Sequence, residues 1–308
     1  MRIFLTGATG YVGGAVLDAL IRGGHDVTAL VRDNEKARRV AARGGHPAIG
    51  NLADIESYRG AADAQDGYIH TAFDYVSGRG PAVERAALEM MISSATRPRT
   101  AGPRATETRF VIYTSGMWIL GRTPEPAFED APVNPIALAS FRPEHERLVL
   151  DAAGPRLRTA VVRPGVVYGA GAGMVGDIFK AAANGLVRVV GDGNNHWPAV
   201  YDRDLADLYA RWRRGPMPPV FSTPTTKATS ASTTSSRPLR GICRCGRTYG
   251  TFQSRKHGRR WAGTPTRSRS IRLFAAAVPE PSAGRRRFIR LPATRRGCCT
   301  SGAAREKK

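Results

Sequence analysis

Three glycines near the start of the chain, Gly7, Gly10 and Gly13 in "TGATGYVGG", follow the apolar run "RIFLT" and lead straight into "VGGAVLDALIR". This succession constrains the fold more than any other feature. Residues 2–6 read as a buried strand. Residues 12–22 place Val12, Val16, Ala19 and Leu20 on one helical face, and Gly23-Gly24 stops the helix. In a strand–turn–helix unit with GxxGxxG spacing, Gly7 allows the tight turn and Gly10 lets the backbone approach a pyrophosphate. Gly13 lets the helix pack closely on the strand, with its N-terminus facing the phosphates. A purely structural glycine turn is the competing reading. The context favours a dinucleotide cradle.

The pattern continues beyond the cradle. "HDVTALVRD" (25–33), "GYIHTA" (67–72), "RFVIYTS" (109–115) and "RTAVVRPGVVYG" (158–169) are further strand candidates, with helical periodicity between most of them. Alternation of this kind predicts a parallel sheet wrapped by helices. At the tip of the second strand an acid would bind a ribose 2′-hydroxyl and a base would suit a 2′-phosphate. Arg32 follows Val31 there, so NADP is expected, with NAD as the alternative and an ordinary surface arginine as the bland one. His70 lies inside an apolar strand and is expected to be a satisfied core histidine. No histidine or cysteine spacing suggests a metal site.

The formal charge of +22 points to nucleic acid until it is located. Residues 1–210 carry 23 Lys+Arg and 23 Asp+Glu, so the whole excess lies in residues 211–308, which have 24 basic and 2 acidic residues. All four cysteines lie there too, without CxxC spacing. No signal peptide and no long apolar run is readable, so a cytoplasmic protein is expected.

The first 210 residues resemble the short-chain dehydrogenase/reductase superfamily, in its extended or atypical NAD-dependent epimerase/dehydratase branch. "TGATGYVGG" (6–14), "GNLADIESYRGAA" (50–62), "YIHTAF" (68–73), "FVIYTSGMWILG" (110–121), "VVRPGVVYGAG" (161–171) and "VYDRDLADLYA" (200–210) carry the resemblance in order and at family spacing. It implies a Rossmann-like doubly wound α/β domain over 1–210 that binds NAD(P) and acts on a hydroxyl or keto group of a small molecule, such as a sugar nucleotide. The cofactor set it implies is Gly7, Thr9, Gly10, Tyr11, Val12 and Gly13 in the cradle, with Arg32 at the ribose. Asn51 and Leu52 would lie at the adenine, Thr71, Ala72 and Thr114 along the cofactor, and Pro164 to Val166 beside the nicotinamide. A homodimer is compatible with it; nucleic acid and membrane are not expected partners.

The family's chemistry needs a serine or threonine, a tyrosine and a lysine four residues after the tyrosine. Counted from Gly121, the serine position falls on Gly116. In "SFRPEHERLVLDAA" (140–153) the other two fall on Phe141 and His145. Phe141 cannot exchange a proton. A rebuilt pair of Ser115 with His145, with Tyr113 as another nearby hydroxyl, is one expectation. The other leaves Ser115 at the strand end and His145 on a helix surface, giving a dinucleotide binder without the usual chemistry, such as a redox sensor.

Two segments break the pattern. Residues 91–108, "MISSATRPRTAGPRATET", carry two prolines and a polar run where a compact helix belongs, and read as a disordered insertion. Residues 211–308 show neither helical nor strand periodicity. A basic disordered tail, a basic module and an out-of-frame translation compete. Joining the last base of each codon to the first two of the next, with GC-rich synonyms chosen, permits "ATSASTTSSRPLRGICRCGRT" (228–248) to be read as "DERVNDIVEAIARHLPLRAD", a regular amphipathic helix. "GCCTSGAARE" (297–306), with the residues before it, similarly yields "LHSVAGNAARLLHEW". The tail is therefore read as out of frame and irregular or disordered, with the junction in 211–219.

Overall fold

The computed structural model describes residues 1–63, 65–98, 108–189, 196–211, 219–222, 269–272 and 287–290. The elements run β1 (Arg2–Thr6), α1 (Tyr11–Arg22), β2 (Asp26–Val31), α2 (Asn34–Ala41), β3 (His46–Ile49), α3 (Glu56–Asp63), β4 (Gly67–His70) and α4 (Gly80–Thr96). They continue with β5 (Arg109–Thr114), α5 (Arg142–Asp151), β6 (Leu157–Arg163), β7 (Val166–Tyr168), α6 (Gly173–Ala183), β8 (Leu186–Val189), β9 (His196–Tyr201), α7 (Asp202–Arg211) and β10 (Val220–Ser222). Two further short strands are β11 (Arg269–Arg272) and β12 (Arg287–Arg290).

Seven strands form one parallel sheet in the order β10-β6-β5-β4-β1-β2-β3. The chain moves outward from β1 to β3, then returns to start the other half at β4. The crevice at the carboxyl ends of β1 and β4 is thus the switch point where such sheets bind ligands. Strand alternation sorts the core into two layers. Ile3, Leu5 and Ile112 join Val16, Leu17 and Leu20 of α1 and Leu205 of α7 on one face. Phe4, Val111 and Tyr113 join Tyr58 of α3, Leu88 and Met91 of α4 and Val149 of α5 on the other. Each fully buried aliphatic side chain contributes about 1.5–3 kcal/mol.

The structure corrects the sequence expectations in three places. β3 escapes a pattern search because "HPAI" is short and mostly exposed, and its proline is tolerated at the sheet edge. Residues 158–169 are not one strand. Pro164 lacks an N–H and Gly165 sits hard against the Pro198 carbonyl, so the run divides into β6 and a β7 that pairs with β9 in a separate sheet. Residues 91–96 are not disordered but form the last turns of α4, burying Met91, Ser94 and Ala95; residues 99–107 lie outside the described residues. The tail contributes β10 to the main sheet, β11 against β9 and β12 against β8. Otherwise the expectation of an irregular or disordered tail lies outside the described residues.

Candidate active site

The cradle is built as its spacing requires. Gly7 has φ +79, a left-handed conformation that suits glycine, and accepts from the Gly10 N–H at 2.8 Å. A Cβ on Gly13 would collide with the Gly7 carbonyl oxygen and Thr71 Oγ1, whereas one on Gly10 would lie 3.2 Å from the Gly7 carbonyl. Packing therefore explains Gly7 and Gly13 fully and Gly10 least. The first turn of α1 has neither a side-chain cap nor an acid, which leaves its positive end open. Thr71 Oγ1 donates to the Thr6 carbonyl at 2.6 Å and ties β4 to β1 beneath the cradle. The buried His70 shares a 2.9 Å hydrogen bond with Thr6 Oγ1, and burial holds its imidazole down at about 4, so it is neutral at pH 7.

The remaining residues of the expected cofactor set lie on several elements. Thr9 is partly buried, and Val12 packs against the core beneath α1. Tyr11 donates to the Gly169 carbonyl at 2.9 Å, its hydroxyl pushed up to about 12 mainly by burial. Arg32 is exposed and makes no hydrogen bond among the described residues. The acid beside it, Asp33, accepts from the Lys36 N–H at 2.8 Å and caps α2. Exposed Asn51 folds its side chain back onto Ala53 N, while Leu52 packs against the core. Ala72 follows Thr71, and Thr114 shares a 2.7 Å bond with the Tyr209 hydroxyl. The Pro164 carbonyl accepts from Met117 N–H, and Val166 is buried in β7.

Where the family chemistry would sit, the structure holds a different constellation. Gly116 is extended, and a Cβ there would meet nothing within 4 Å. Phe141 stacks on Phe73 with ring centroids 5.3 Å apart. His145, placed on a helix surface in one expectation, is only 3% exposed because α5 turns it into the sheet. Its Nδ1 is hydrogen-bonded to Glu84 Oε2 at 2.8 Å. Ser115 is also buried, and its Oγ has no partner among the described residues. No hydrogen bond joins it to His145.

Glu84 is the group that sequence reasoning missed. Its carboxylate, deep in α4, accepts from the Tyr113 hydroxyl at 2.8 Å as well as bonding His145. Burial and the Glu84 charge push the Tyr113 hydroxyl far up, out of reach of ordinary proton exchange. Arg142, also missed, donates from Nη1 to Tyr113 Oη at 2.9 Å and to the Thr114 carbonyl at 3.2 Å. A trace of Glu84 was present in the sequence, since it lies on the same helical stripe as Ala87, Leu88 and Met91. Below this cluster, buried Arg163 forks onto both oxygens of Glu146 and clamps α5 to β6.

A doubly wound parallel sheet with an open glycine cradle at its switch point defines a Rossmann-like dinucleotide-binding class. A model of the NAD-dependent epimerase/dehydratase family matches residues 3–215, and the chain belongs to that family. It is 35% identical over 214 residues to the uncharacterised protein C2A9.02 of Schizosaccharomyces pombe, covering 68% of this chain and 69% of that one. It is 32% identical over 175 residues to the 4-hydroxy-2-methyl-3-oxo-4-farnesyl-3,4-dihydroquinoline-1-oxide ketoreductase of Stigmatella aurantiaca. That match covers 55% of this chain and about half, 51%, of the ketoreductase. Among solved structures, the dTDP-glucose 4,6-dehydratase DesIV of Streptomyces venezuelae with NAD bound superposes at TM-score 0.59, with 16% identity and coverage of 72% and 75%.

Proposed function

We propose that this chain is an NADP(H)-dependent oxidoreductase that reduces a keto group, or oxidises the corresponding hydroxyl, on a small molecule. The cradle carries the reading: Gly7 and Gly13 leave no room for side chains, Gly10 stands exposed at the turn, and the uncapped N-terminus of α1 leaves donors for a pyrophosphate. Thr9, Tyr11 and Val12 complete that wall. Asn51 and Leu52 would hold the adenine, Thr71, Ala72 and Thr114 the middle of the cofactor, and Pro164 and Val166 the nicotinamide. Arg32 supports NADP over NAD because it is exposed just past β2 and makes no hydrogen bond among the described residues, while Asp33 is occupied as a helix cap. When bound, the cofactor supplies or accepts a hydride. The ketoreductase name of one relative supports a keto substrate; a sugar nucleotide is the alternative that the solved dehydratase suggests.

Titrating the full chain with NADPH and NADH, followed by tryptophan fluorescence, tests the cofactor assignment. NADPH is expected to bind at least about tenfold more tightly, and Arg32→Asp to remove that preference. Equal affinities in the unmodified chain would overturn the NADP assignment, and no binding of either would overturn the whole reading. A second reading is favoured by Phe141 standing where the acid should be: a dinucleotide-binding sensor without turnover. It predicts binding that Gly10→Asp abolishes, and no NADPH consumption with any ketone.

The tail belongs to a separate proposal. Residues beyond a junction in 211–219 are read as an out-of-frame translation, which the end of the family match at residue 215 supports. β10 nevertheless pairs in parallel with β6 at the edge of the main sheet. The coding sequence between codons 205 and 228 tests this. A continuous frame that no one- or two-base slip converts to a family-like segment would overturn it.

A further inference from the structure

Phe141 leaves the site without the hydroxyl that would normally hold the reacting oxygen, yet the next residue lays a strong donor against the Phe141 ring. Arg142 is pinned through Nη1 at the end of β5. Its Cζ lies 5.2 Å from the Phe141 ring centroid and 5.6 Å from that of Phe73, a placement that fixes the plane of the guanidinium. Nε and Nη2 make no hydrogen bond among the described residues, and the side chain is 15% exposed, so one edge of the fork is open. Glu84 pairs with this cation on the Nη1 side only: its Oε1 stands 4.0 Å from Nη1, and its Oε2 is taken by Tyr113 and His145, so Nε and Nη2 keep their donors.

A second donor lies one residue further along the strand line. Ser115 is 6% exposed, and its Oγ has no partner among the described residues. Its N–H still bonds the Val162 carbonyl, so the pleat continues through it and its side chain shares the sheet face of Tyr113, the residue Arg142 touches. An unpaired buried hydroxyl costs about 1–3 kcal/mol, and a ligand oxygen would recover that.

Building on the keto-reductase reading, we propose that Arg142 and Ser115 together hold the substrate's carbonyl oxygen in place of the missing tyrosine. As the carbonyl carbon takes a hydride, the C=O π pair moves onto that oxygen, and the guanidinium and the hydroxyl stabilise the charge. Arginine does not give up its proton, so the alkoxide takes one from water and releases hydroxide to solvent. The stacked Phe73 and Phe141, with exposed Tyr75 edge-on to Phe73, match a ketone carried on a flat apolar group.

The probe is 2-naphthoate, whose carboxylate stands in for the oxyanion and whose rings stand in for the apolar group. It is titrated calorimetrically into the full chain saturated with NADP+. The unmodified chain is expected to bind it, Arg142→Lys to weaken binding about tenfold or more, and Ser115→Ala several-fold, with NADPH affinity within about twofold in both. The lysine variant keeps the charge beside Glu84, and a thermal melt checks that each variant folds. Naphthoate that fails to bind the folded parent, or binds both folded variants as tightly as the parent, overturns the proposal. If NADP(H) itself does not bind, the reductase reading falls, and the same titration without nucleotide still decides whether Arg142 and Ser115 hold an anion. Where turnover is measured, the rate is expected to stay flat between pH 6 and 9. An inflection there that survives Arg142→Lys would assign the role to a titrating acid instead.

Discussion

Gly13 and Gly116 are glycines for opposite reasons. Gly13 is fixed by contact, since a methyl group there strikes the Gly7 carbonyl and Thr71. Gly116 is extended with empty space around it, so nothing in the backbone demands a glycine. Gly116→Ser is accordingly expected to fold with stability within about 0.5 kcal/mol of the parent, read from its melting temperature. Gly13→Ala should lower stability well beyond that. His70 makes a different test. Its pKa falls from the ordinary value of 6.5 to about 4 on folding, so the unfolded chain binds the extra proton. Its contribution is therefore fully present above pH 6.5 and is lost as pH falls toward 4, by roughly 3 kcal/mol in all. His70→Asn, which can still bond Thr6, is expected to flatten the stability curve across that window. An unchanged slope would mean that other groups carry the acid sensitivity.

At the scale of elements, what the sequence disclosed depended on how local the physics was. The cradle was legible because a left-handed turn and a close helix approach select glycine whatever the rest of the chain does. The replacements at Gly116, Phe141 and His145 were legible because spacing along one strand and one helix is local too. Glu84 and Arg142 were not, because their roles exist only once α4 and α5 lie side by side against β5. Burial of His145 was lost for the same reason. Arg163 and Glu146 show how firmly that arrangement is held. Glu146→Gln leaves a buried guanidinium without its charge partner and is expected to cost about 3–5 kcal/mol in denaturant unfolding. Replacing both residues with apolar ones of similar volume should recover much of that loss. If Glu146→Gln unfolds like the parent, the clamp is not what joins α5 to β6.

For the whole molecule, charge divides the chain more sharply than structure does. Residues 1–210 are balanced and the remainder carries the entire +22. The full chain is thus expected to bind a cation exchanger or heparin and to elute with salt, whereas a chain ending at Ser222, which keeps only Arg211, Arg213 and Arg214 of that excess, should be held far more weakly. Equal retention of the shortened chain would place the binding surface on the folded part. The order of assembly completes the picture. Every side chain assigned to the cradle and its rim is supplied by residues up to Val166, and the main sheet closes when Ser222 pairs with Arg163. A ribosome therefore finishes the nucleotide-binding half of this protein while the basic segment is still being made. An error in reading frame after that moment changes what the chain adheres to without touching the cradle already folded.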